Sequence, residues 1–267
     1  MRCLRGKIKA LSVNRKGCSM TGNAISLRDI SFNYKHIKAL DDLSLEIPGG
    51  ISFGIMGPNG AGKTTLIRIM VGLLRQKSGY LAILGKEFSR QLEYQLGYMP
   101  QAHSLYTELS ISQNIDFFAR VYGLRDKTLR KARIEEVIRL VDLWERRNDA
   151  VMNLSGGMKQ RVSLACAIVH NPPVIFLDEP TVGLDPELRC RFWEYFKSLN
   201  QKGVTIIISS HTLDDAAHCD RLAFLREGKV IAEGTPADLK AATGKADASL
   251  EDAFLHSIRI GGIPCHE

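Results

Sequence analysis

The first part of the chain alternates between apolar and polar positions, a pattern typical of half-buried β-strands. AISLRDISFNY alternates in this way, and LSLEI is its predicted partner strand. ISFGIM is mostly apolar and predicts a buried strand, while the apolar positions of TTLIRIMVGLL recur at helical spacing and predict a helix. Because SGYLAILG and LGYMPQ predict two more strands, this part of the chain is mainly β-structure with one helix inserted.

The pattern changes between residues 110 and 149, where ISQNIDFFARVYGL and KARIEEVIRLVDLW carry apolar residues at helical spacing. We therefore expect a helical insert over about residues 105–155. Strand patterns return in PVIFLDEP, VTIIISSH, RLAFLREG and KVIAEG, and PELRCRFWEYFKSLNQKG predicts a helix that Gly203 ends. Two short helices, the last containing LEDAFL, are expected after Thr235. Strands that alternate with helices predict an α/β core with a mainly parallel sheet.

Composition limits the classes of function. The chain has 267 residues, 45% of them hydrophobic, and its apolar runs have the length of buried strands, below the roughly 18 residues of a membrane span. Six of the seven net positive charges lie in residues 1–24, so the remainder is nearly neutral and we expect no nucleic-acid partner. This basic head is expected to be a disordered tail or to precede a true start at Met20; a targeting or membrane-surface role is the alternative. The six cysteines have no CxxC spacing and predict free thiols rather than a metal site.

GPNGAGKT fits the pattern GxxxxGK[ST] and stands between a predicted strand and a predicted helix, the context in which that pattern binds phosphate. Its glycines allow backbone N–H groups to surround phosphates, and the start of the helix favours an anion. Lys63 is expected to neutralise the β- and γ-phosphates, and the Thr64 hydroxyl to bind Mg²⁺. The segment predicts a nucleotide site.

VIFLDEP supplies a second part of such a site. Asp178 stands at the end of four apolar residues, where a carboxylate can hold Mg²⁺ through water. Glu179 follows directly and is expected to act as a general base on the attacking water, an effect worth on the order of 10²–10⁴-fold in rate.

LSGGMKQR predicts a second helix start that can bind an anion, with Ser155 as its N-cap and two glycines after it. Taken alone, the segment predicts only a capped helix with a flexible start. Because GPNGAGKT already surrounds the phosphates, however, this second start has no ligand within its own subunit. We therefore expect it to bind a nucleotide held by another copy.

These segments together resemble ATP-binding cassette (ABC) ATPases over residues 25–235. LSGGMKQR resembles the family signature, YMPQ the Q-loop, GLDP the D-loop and SSH the switch-histidine segment, and they occur in the family's order. The resemblance implies an α/β P-loop NTPase core with a mainly parallel sheet, an N-terminal antiparallel β-subdomain and an inserted α-helical subdomain. It also implies ATP and Mg²⁺ as cofactors, and it leaves residues 236–267 as a short helical tail.

The resemblance also assigns residue roles. ATP contact falls to Tyr34, which would stack on adenine, and to Gly57, Pro58, Asn59, Gly60, Ala61, Gly62, Lys63, Thr64 and Thr65. Catalysis falls to Glu179, His211 and Gln101, and the magnesium site to Thr64, Gln101 and Asp178. Ser155, Gly156 and Gly157 would close over the partner's ATP, with Asp185 at the dimer seam. Three positions depart from the common pattern, namely Met158, Val182 and Lys35, and the last makes the base-stacking geometry of Tyr34 the least defined assignment.

The resemblance implies partners as well. A second ABC ATPase subunit, expected to be a second copy, would complete two composite sites. Separate transmembrane permease subunits would dock between Gln101 and the helical insert and hold the chain at the cytoplasmic side of the membrane. The apolar candidates for that groove are Leu105, Tyr106, Ile111, Ile115 and Phe117.

The direction of transport and the class of ATPase have alternatives. TVGLDP, LEDAFL and the segment from Pro100 to Leu124 resemble the branch that serves drug, polysaccharide and lipid exporters. Importer ATPases often carry a further C-terminal β-domain, for which the residues after Thr235 are too few, although importers without it remain an alternative. Soluble ABC ATPases of translation or DNA maintenance are another. A kinase or GTPase is set aside, because it has no use for LSGGMKQR and SSH.

Overall fold

The computed structural model describes residues 22–260. Its strands are β1 (Asn23–Tyr34), β2 (Ile37–Pro48), β3 (Ser52–Met56), β4 (Ser78–Ile83), β5 (Lys86–Glu87), β6 (Leu96–Met99), β7 (Val174–Asp178), β8 (Thr205–Ser210), β9 (Arg221–Arg226) and β10 (Lys229–Gly234). The predicted basic head, apart from its last three residues, lies outside the described range. Asn23 and Ala24, the last two residues assigned to that head, belong to β1.

The helices are α1 (Lys63–Met70), α2 (Arg90–Glu93), α3 (Ile111–Val121), α4 (Lys127–Leu140), α5 (Gly156–Ile168), α6 (Pro186–Asn200), α7 (Leu213–Ala216), α8 (Pro236–Ala241) and α9 (Leu250–Ile260). Two 3₁₀ turns, Trp144–Arg146 and Val151–Asn153, precede α5. The sequence pattern missed the short elements α2, α7 and β5, since four residues or fewer show no period. Among the described helices, none has the length and apolar character to cross a membrane.

The N-terminal strands form an antiparallel sheet in the order β2-β1-β4-β5, as the alternating pattern predicts. β1 pairs with β2 along most of its length, and Ile25, Leu27 and Ile30 of β1 are fully buried. These side chains pack with the buried face of α1, which carries Leu66 and Ile67, in one core cluster. The antiparallel sheet therefore lies against the helix that follows GPNGAGKT.

The second sheet has the order β10-β9-β3-β8-β7-β6 within residues 22–260, and all of its pairings are parallel except that of β9 with β10. Met56 at the end of β3 lies opposite Ser210 of β8, and Asp178 at the end of β7 lies opposite Ser209. Because the strands are parallel, the segments that follow them all leave the sheet at one edge. That edge, where open α/β sheets bind ligands, is where GPNGAGKT, Glu179 and His211 begin.

The predicted helical insert corresponds to α3, α4 and the two 3₁₀ turns. Ser110 caps α3 through a reciprocal bond with Gln113, and Asp126 caps α4 by accepting bonds from the N–H groups of Thr128 and Leu129. Their apolar faces pack with α5, the helix of LSGGMKQR, in a core that includes Val137. The insert thus supports α5 from one side.

Gly203 ends α6 as predicted. It takes a left-handed φ of 83°, and the N–H of Val204 bonds back to the Leu199 carbonyl at 3.1 Å. In the tail, α8 begins with a capping box between Thr235 and Asp238, and α9 buries Leu250, Ala253 and Ile258.

Candidate active site

The phosphate-binding loop predicted from GPNGAGKT joins β3 to α1. Gly62 precedes the helix with a left-handed φ of 106°. The Lys63 ammonium donates to the carbonyls of Gly57 at 2.7 Å and Pro58 at 3.0 Å, and the side chain is buried. Burial lowers the pKa of Lys63, and the charges of Glu179 and Asp178 act against that shift. The loop therefore holds the buried Lys63 ammonium, and the carboxylates of Glu179 and Asp178 are near enough for their charges to act on it.

Asp178 has an oxygen that the protein leaves unused. The residue is fully buried, and its Oδ1 accepts bonds from the hydroxyls of Ser209 and of Thr64, the latter at 3.3 Å. Its Oδ2 has no hydrogen-bond partner among the described residues. Buried polar atoms are nearly always satisfied, and Mg²⁺ prefers carboxylate and hydroxyl oxygens. The pair formed by Asp178 and Thr64 therefore fits the predicted magnesium site.

Glu179 is held in place by four contacts. Its carboxylate accepts from the Gln101 amide at 3.2 Å and lies 3.0 Å from Nδ1 of His211. Its N–H donates to the Ser209 carbonyl at 3.1 Å, and its own carbonyl accepts from Nε2 of Gln160 at 2.8 Å. The residue has a φ of 55°, which is strained for a side chain other than glycine. Such strain persists only where surrounding contacts impose it, as they do here.

The predicted catalytic residues thus meet in one cluster. The side chain of Glu179 is 13% exposed and that of His211 is 42% exposed, so the cluster extends from the fully buried Asp178 to solvent. Gln101 lies on the Glu179 side of the cluster, and its assignment as a magnesium ligand stays a prediction. Sequence reasoning missed Gln160, although it lies within LSGGMKQR, because nothing in its spacing indicates a bond to the backbone of Glu179.

The tip of α5 lies outside this cluster. The Ser155 hydroxyl caps the helix by accepting from the N–H of Met158 at 3.3 Å, as predicted. Ser155 and Gly156 are exposed, and a Cβ built on Gly156 would touch nothing within 4 Å. A Cβ on Gly157 would lie 3.0 Å from the Gly183 carbonyl, so that glycine packs against the GLDP loop. Within the described chain, nothing explains the missing side chain of Gly156.

Asp185 has a local role that the sequence analysis did not assign. It is the N-cap of α6, accepts from the N–H of Leu188 at 2.9 Å and is exposed. The cap accounts for an aspartate at this position by itself. Its place at a dimer seam remains a prediction.

Tyr34 lies at the end of β1 and is 41% exposed, with its ring edge-on to Phe32 at a centroid distance of 4.9 Å. Lys35 adopts a left-handed φ of 51°, so it makes the turn that the common glycine would make, with some strain. The hydroxyls of Tyr34 and Tyr98 raise the pKa of Arg68 against the lowering effect of burial, which places the three side chains together. The ring is accessible for stacking, and that role stays a prediction.

Two of the apolar candidates for a docking groove are wrong. Ile111 and Ile115 are fully buried in the core against α5, because they form the inward face of α3. Tyr106 and Phe117, by contrast, are 47% and 38% exposed and pack edge to face at 4.7 Å. Val121, one turn further along α3, is 49% exposed and extends this surface.

Comparison with known proteins identifies the family. The model of the family described as "ABC transporter" matches residues 40–182, which is more than half of the chain. The Daunorubicin resistance ATP-binding protein DrrA3 of Streptomyces coeruleorubidus is 38% identical over 251 residues, covering 92% of this chain and 79% of that protein. The Probable multidrug ABC transporter ATP-binding protein YbhF of Escherichia coli K12 is 40% identical over 242 residues, covering 88% of this chain.

Solved structures agree. An ATP-binding subunit of an ABC transporter matches with a TM-score of 0.81 and 30% identity, covering 88% of this chain and 99% of that one. A dimeric cassette, MJ0796, in a post-hydrolysis state with bound ADP and Pi matches with a TM-score of 0.75 and 27% identity, covering 79% and 98% of the two chains. The chain belongs to the ABC transporter family, and the proteins it is similar to are named as ATP-binding proteins or subunits of such transporters. It spans 41% of the length of YbhF.

Proposed function

We propose that this chain hydrolyses ATP at two composite sites formed with a second copy, and that hydrolysis drives export through a transmembrane permease. The observation that carries the proposal is the division of the site. Lys63, Thr64, Asp178, Glu179 and His211 converge within one chain, while the capped tip at Ser155 points outward with a glycine that its own chain does not require.

Each converging residue has a task in hydrolysis. The backbone N–H groups of the loop and the Lys63 ammonium bind the β- and γ-phosphates, and Thr64 and Asp178 would hold Mg²⁺ beside them. When bound, Mg²⁺ neutralises charge on the phosphate oxygens. Glu179 takes a proton from the attacking water, because its carboxylate lies at the open side of this cluster. His211 holds the Glu179 carboxylate in place and contacts the γ-phosphate.

The tip of α5 binds the nucleotide held by the second copy. Its first N–H groups and the dipole of a 13-residue helix favour a phosphate, and Gly156 lets that phosphate approach the backbone closely. A two-fold pair places each loop opposite the partner's tip and makes two equal sites. The dimeric state of the solved cassette with 27% identity supports this arrangement.

A permease is the proposed membrane partner, and the exposed surface of Tyr106, Phe117 and Val121 is its docking site. Tyr106 follows Gln101 closely in the sequence, and the Gln101 amide donates to the Glu179 carboxylate, so we propose that the docked permease acts on the catalytic cluster through this segment. Export is supported by the names of the relatives. One of them, a Nod factor export ATP-binding protein of Cupriavidus pinatubonensis, is 36% identical, and the match covers 67% of that protein. Such a partner would hold the chain at the cytoplasmic side of the membrane.

The test is ATP-dependent dimerisation. We expect Glu179→Gln to bind ATP, to lose turnover by on the order of 10²-fold or more and to elute as a dimer with ATP and Mg²⁺ in size-exclusion chromatography with light scattering. Adding Gly156→Asp should keep ATP binding but leave a monomer, because a carboxylate at the tip repels the partner's phosphate. Lys63→Ala should lose ATP binding altogether.

The exposed Glu187→Gln on α6 is the matched control and should hydrolyse ATP at the wild-type rate. Wild-type turnover in Glu179→Gln would remove that residue as the base. An ATP-dependent dimer of unchanged stability in the Gly156→Asp variant would contradict the composite site.

A further inference from the structure

Asp215 is a buried carboxylate outside the residues assigned above. It is 1% exposed, and its Oδ2 accepts three hydroxyl bonds, from Thr181 at 2.6 Å, Ser210 at 2.7 Å and Thr212 at 2.9 Å. Within residues 22–260 no cation forms an ion pair with it, and its Oδ1 has no hydrogen-bond partner. A carboxylate buried without a cation is costly, so its presence needs a reason.

The three donors come from the two loops that carry the catalytic pair. Thr181 stands two residues after Glu179, and Ser210 and Thr212 stand on either side of His211. Asp215 itself lies on α7, where Ala216 is fully buried and the Cys219 thiol donates to the Asp215 carbonyl at 3.5 Å. One carboxylate oxygen therefore ties the Glu179 loop and the His211 loop to the same fixed point.

A neutral acceptor could pair these hydroxyl donors at a lower free-energy cost of burial. A carboxylate, however, accepts stronger and shorter hydrogen bonds from them. Those bonds matter here because the Glu179 backbone is strained at a φ of 55° and the His211 side chain is 42% exposed, so both residues depend on neighbouring contacts to keep their positions. We propose that Asp215 is a positioning residue, which fixes the His211 loop against the Glu179 loop and so sets the 3.0 Å contact between their side chains. The inference rests on the proposed hydrolytic roles of Glu179 and His211.

The geometry predicts a specific kinetic effect. A displacement of about 1 Å at a catalytic group can cost about 10²-fold in rate. The loop contacts of Lys63 are made with Gly57 and Pro58, and none involves Asp215. Loosening the Asp215 bonds should therefore lower kcat far more than ATP affinity, whereas a general loss of structure would lower both.

Thr181→Val tests this with little change of shape. It removes one of the three donors, and we expect kcat to fall about tenfold with ATP affinity within about twofold of wild type. Thr181→Ser keeps the hydroxyl and should restore kcat. The matched control is Thr205→Val, which removes a buried threonine hydroxyl at the other end of β8, where it accepts from the N–H of Gly50 at 2.9 Å. That control should lower the melting temperature to a similar extent and keep kcat.

Asp215→Asn completes a double-mutant cycle. Because asparagine accepts these bonds more weakly than a carboxylate, the further loss of kcat caused by Thr181→Val should be smaller in the Asp215→Asn background than in wild type. The inference is overturned if Thr181→Val turns over at the wild-type rate, if Thr205→Val lowers kcat equally, or if the two effects add. Wild-type turnover in Glu179→Gln would instead overturn the proposed base, so the two failures are distinct.

Discussion

The molecule contains two helix starts that carry glycines and can bind phosphate. The physical reason for glycine differs between them. At the start of α1, a Cβ on Gly57 would lie 2.2 Å from the Leu225 carbonyl, and one on Gly62 would lie 2.7 Å from the Ala39 carbonyl. At the start of α5, Gly156 is helical and a Cβ there would meet nothing. Contacts within the chain require Gly57 and Gly62, whereas they do not require Gly156.

This difference separates folding from function. Glycines in the first loop are required for the fold itself, because β9 and β2 pass directly against it. Gly156, at the second start, contributes nothing to packing and lowers helix stability relative to alanine. A residue that is unfavourable for the fold and unneeded by its neighbours indicates a close approach from outside, which we assign to the second copy's nucleotide.

Matched alanine substitutions are the strongest way to break this comparison. We expect Gly62→Ala to lower the free energy of unfolding by about 3 kcal/mol, because a left-handed φ and a backbone clash add together. Gly156→Ala should raise it by less than about 1 kcal/mol. Urea unfolding of both variants measures the contrast, and equal losses would mean that α5 needs its glycine for folding.

The sequence allowed the strands and the two helix starts to be predicted, because each follows from a period or a local motif, while the catalytic roles of Glu179, His211 and Gln101 stay predictions. Asp178 and Glu179 end a buried strand, and His211 follows one that lies beside it, so one sheet edge brings them together. What could not be predicted depends on contacts between distant segments. The bonds from Thr181 to Asp215 and from Gln160 to Glu179 span 34 and 19 residues, and no pattern of apolar positions encodes them.

The exposure of side chains could not be predicted from the sequence either. Ile111 and Ile115 were expected on a docking surface, yet both are buried, since a periodic pattern identifies the apolar face of a helix without stating which neighbour covers it. The helix α5, packed against them, was expected correctly as a capped helix. The sequence did not indicate which part of α5 is accessible. In the structure the helical insert packs against the body of α5, while Ser155 and Gly156 at its tip are exposed.

The C-terminal end of α5 gives a second test, because the stability of the fold around it should depend on pH. His170 follows that helix, is stacked on Tyr122 at 3.8 Å and lies 3.2 Å from the Leu96 carbonyl through Nε2. Burial lowers its pKa to about 4, with Arg133 adding to the shift and the Leu96 bond opposing it. Below pH 6.5 the unfolded chain gains a proton that the native state refuses until about pH 4, so stability is lost as pH falls through that window.

We expect a loss of about 2 kcal/mol between pH 7 and pH 5 from this group. His170→Gln keeps a donor for the Leu96 carbonyl and should remove that part of the pH dependence, measured by urea unfolding at both pH values. If the free energy of unfolding of His170→Gln depends on pH as in wild type, a neutral imidazole at the C-terminal end of α5 does not contribute to stability.

The smallest expected effect concerns Glu179, which is bonded to α5 through Gln160 and whose charge acts on Lys63 at the start of α1. Both Glu179→Ala and Glu179→Gly delete the carboxylate and should be equally inactive, but only glycine accepts a φ of 55° without strain. The glycine variant should therefore be more stable than the alanine variant by about 1 kcal/mol in urea unfolding. If alanine proves equal or better, the backbone there is not strained by the fold, and the contacts of Ser209 and Gln160 do not hold Glu179 against its own preference.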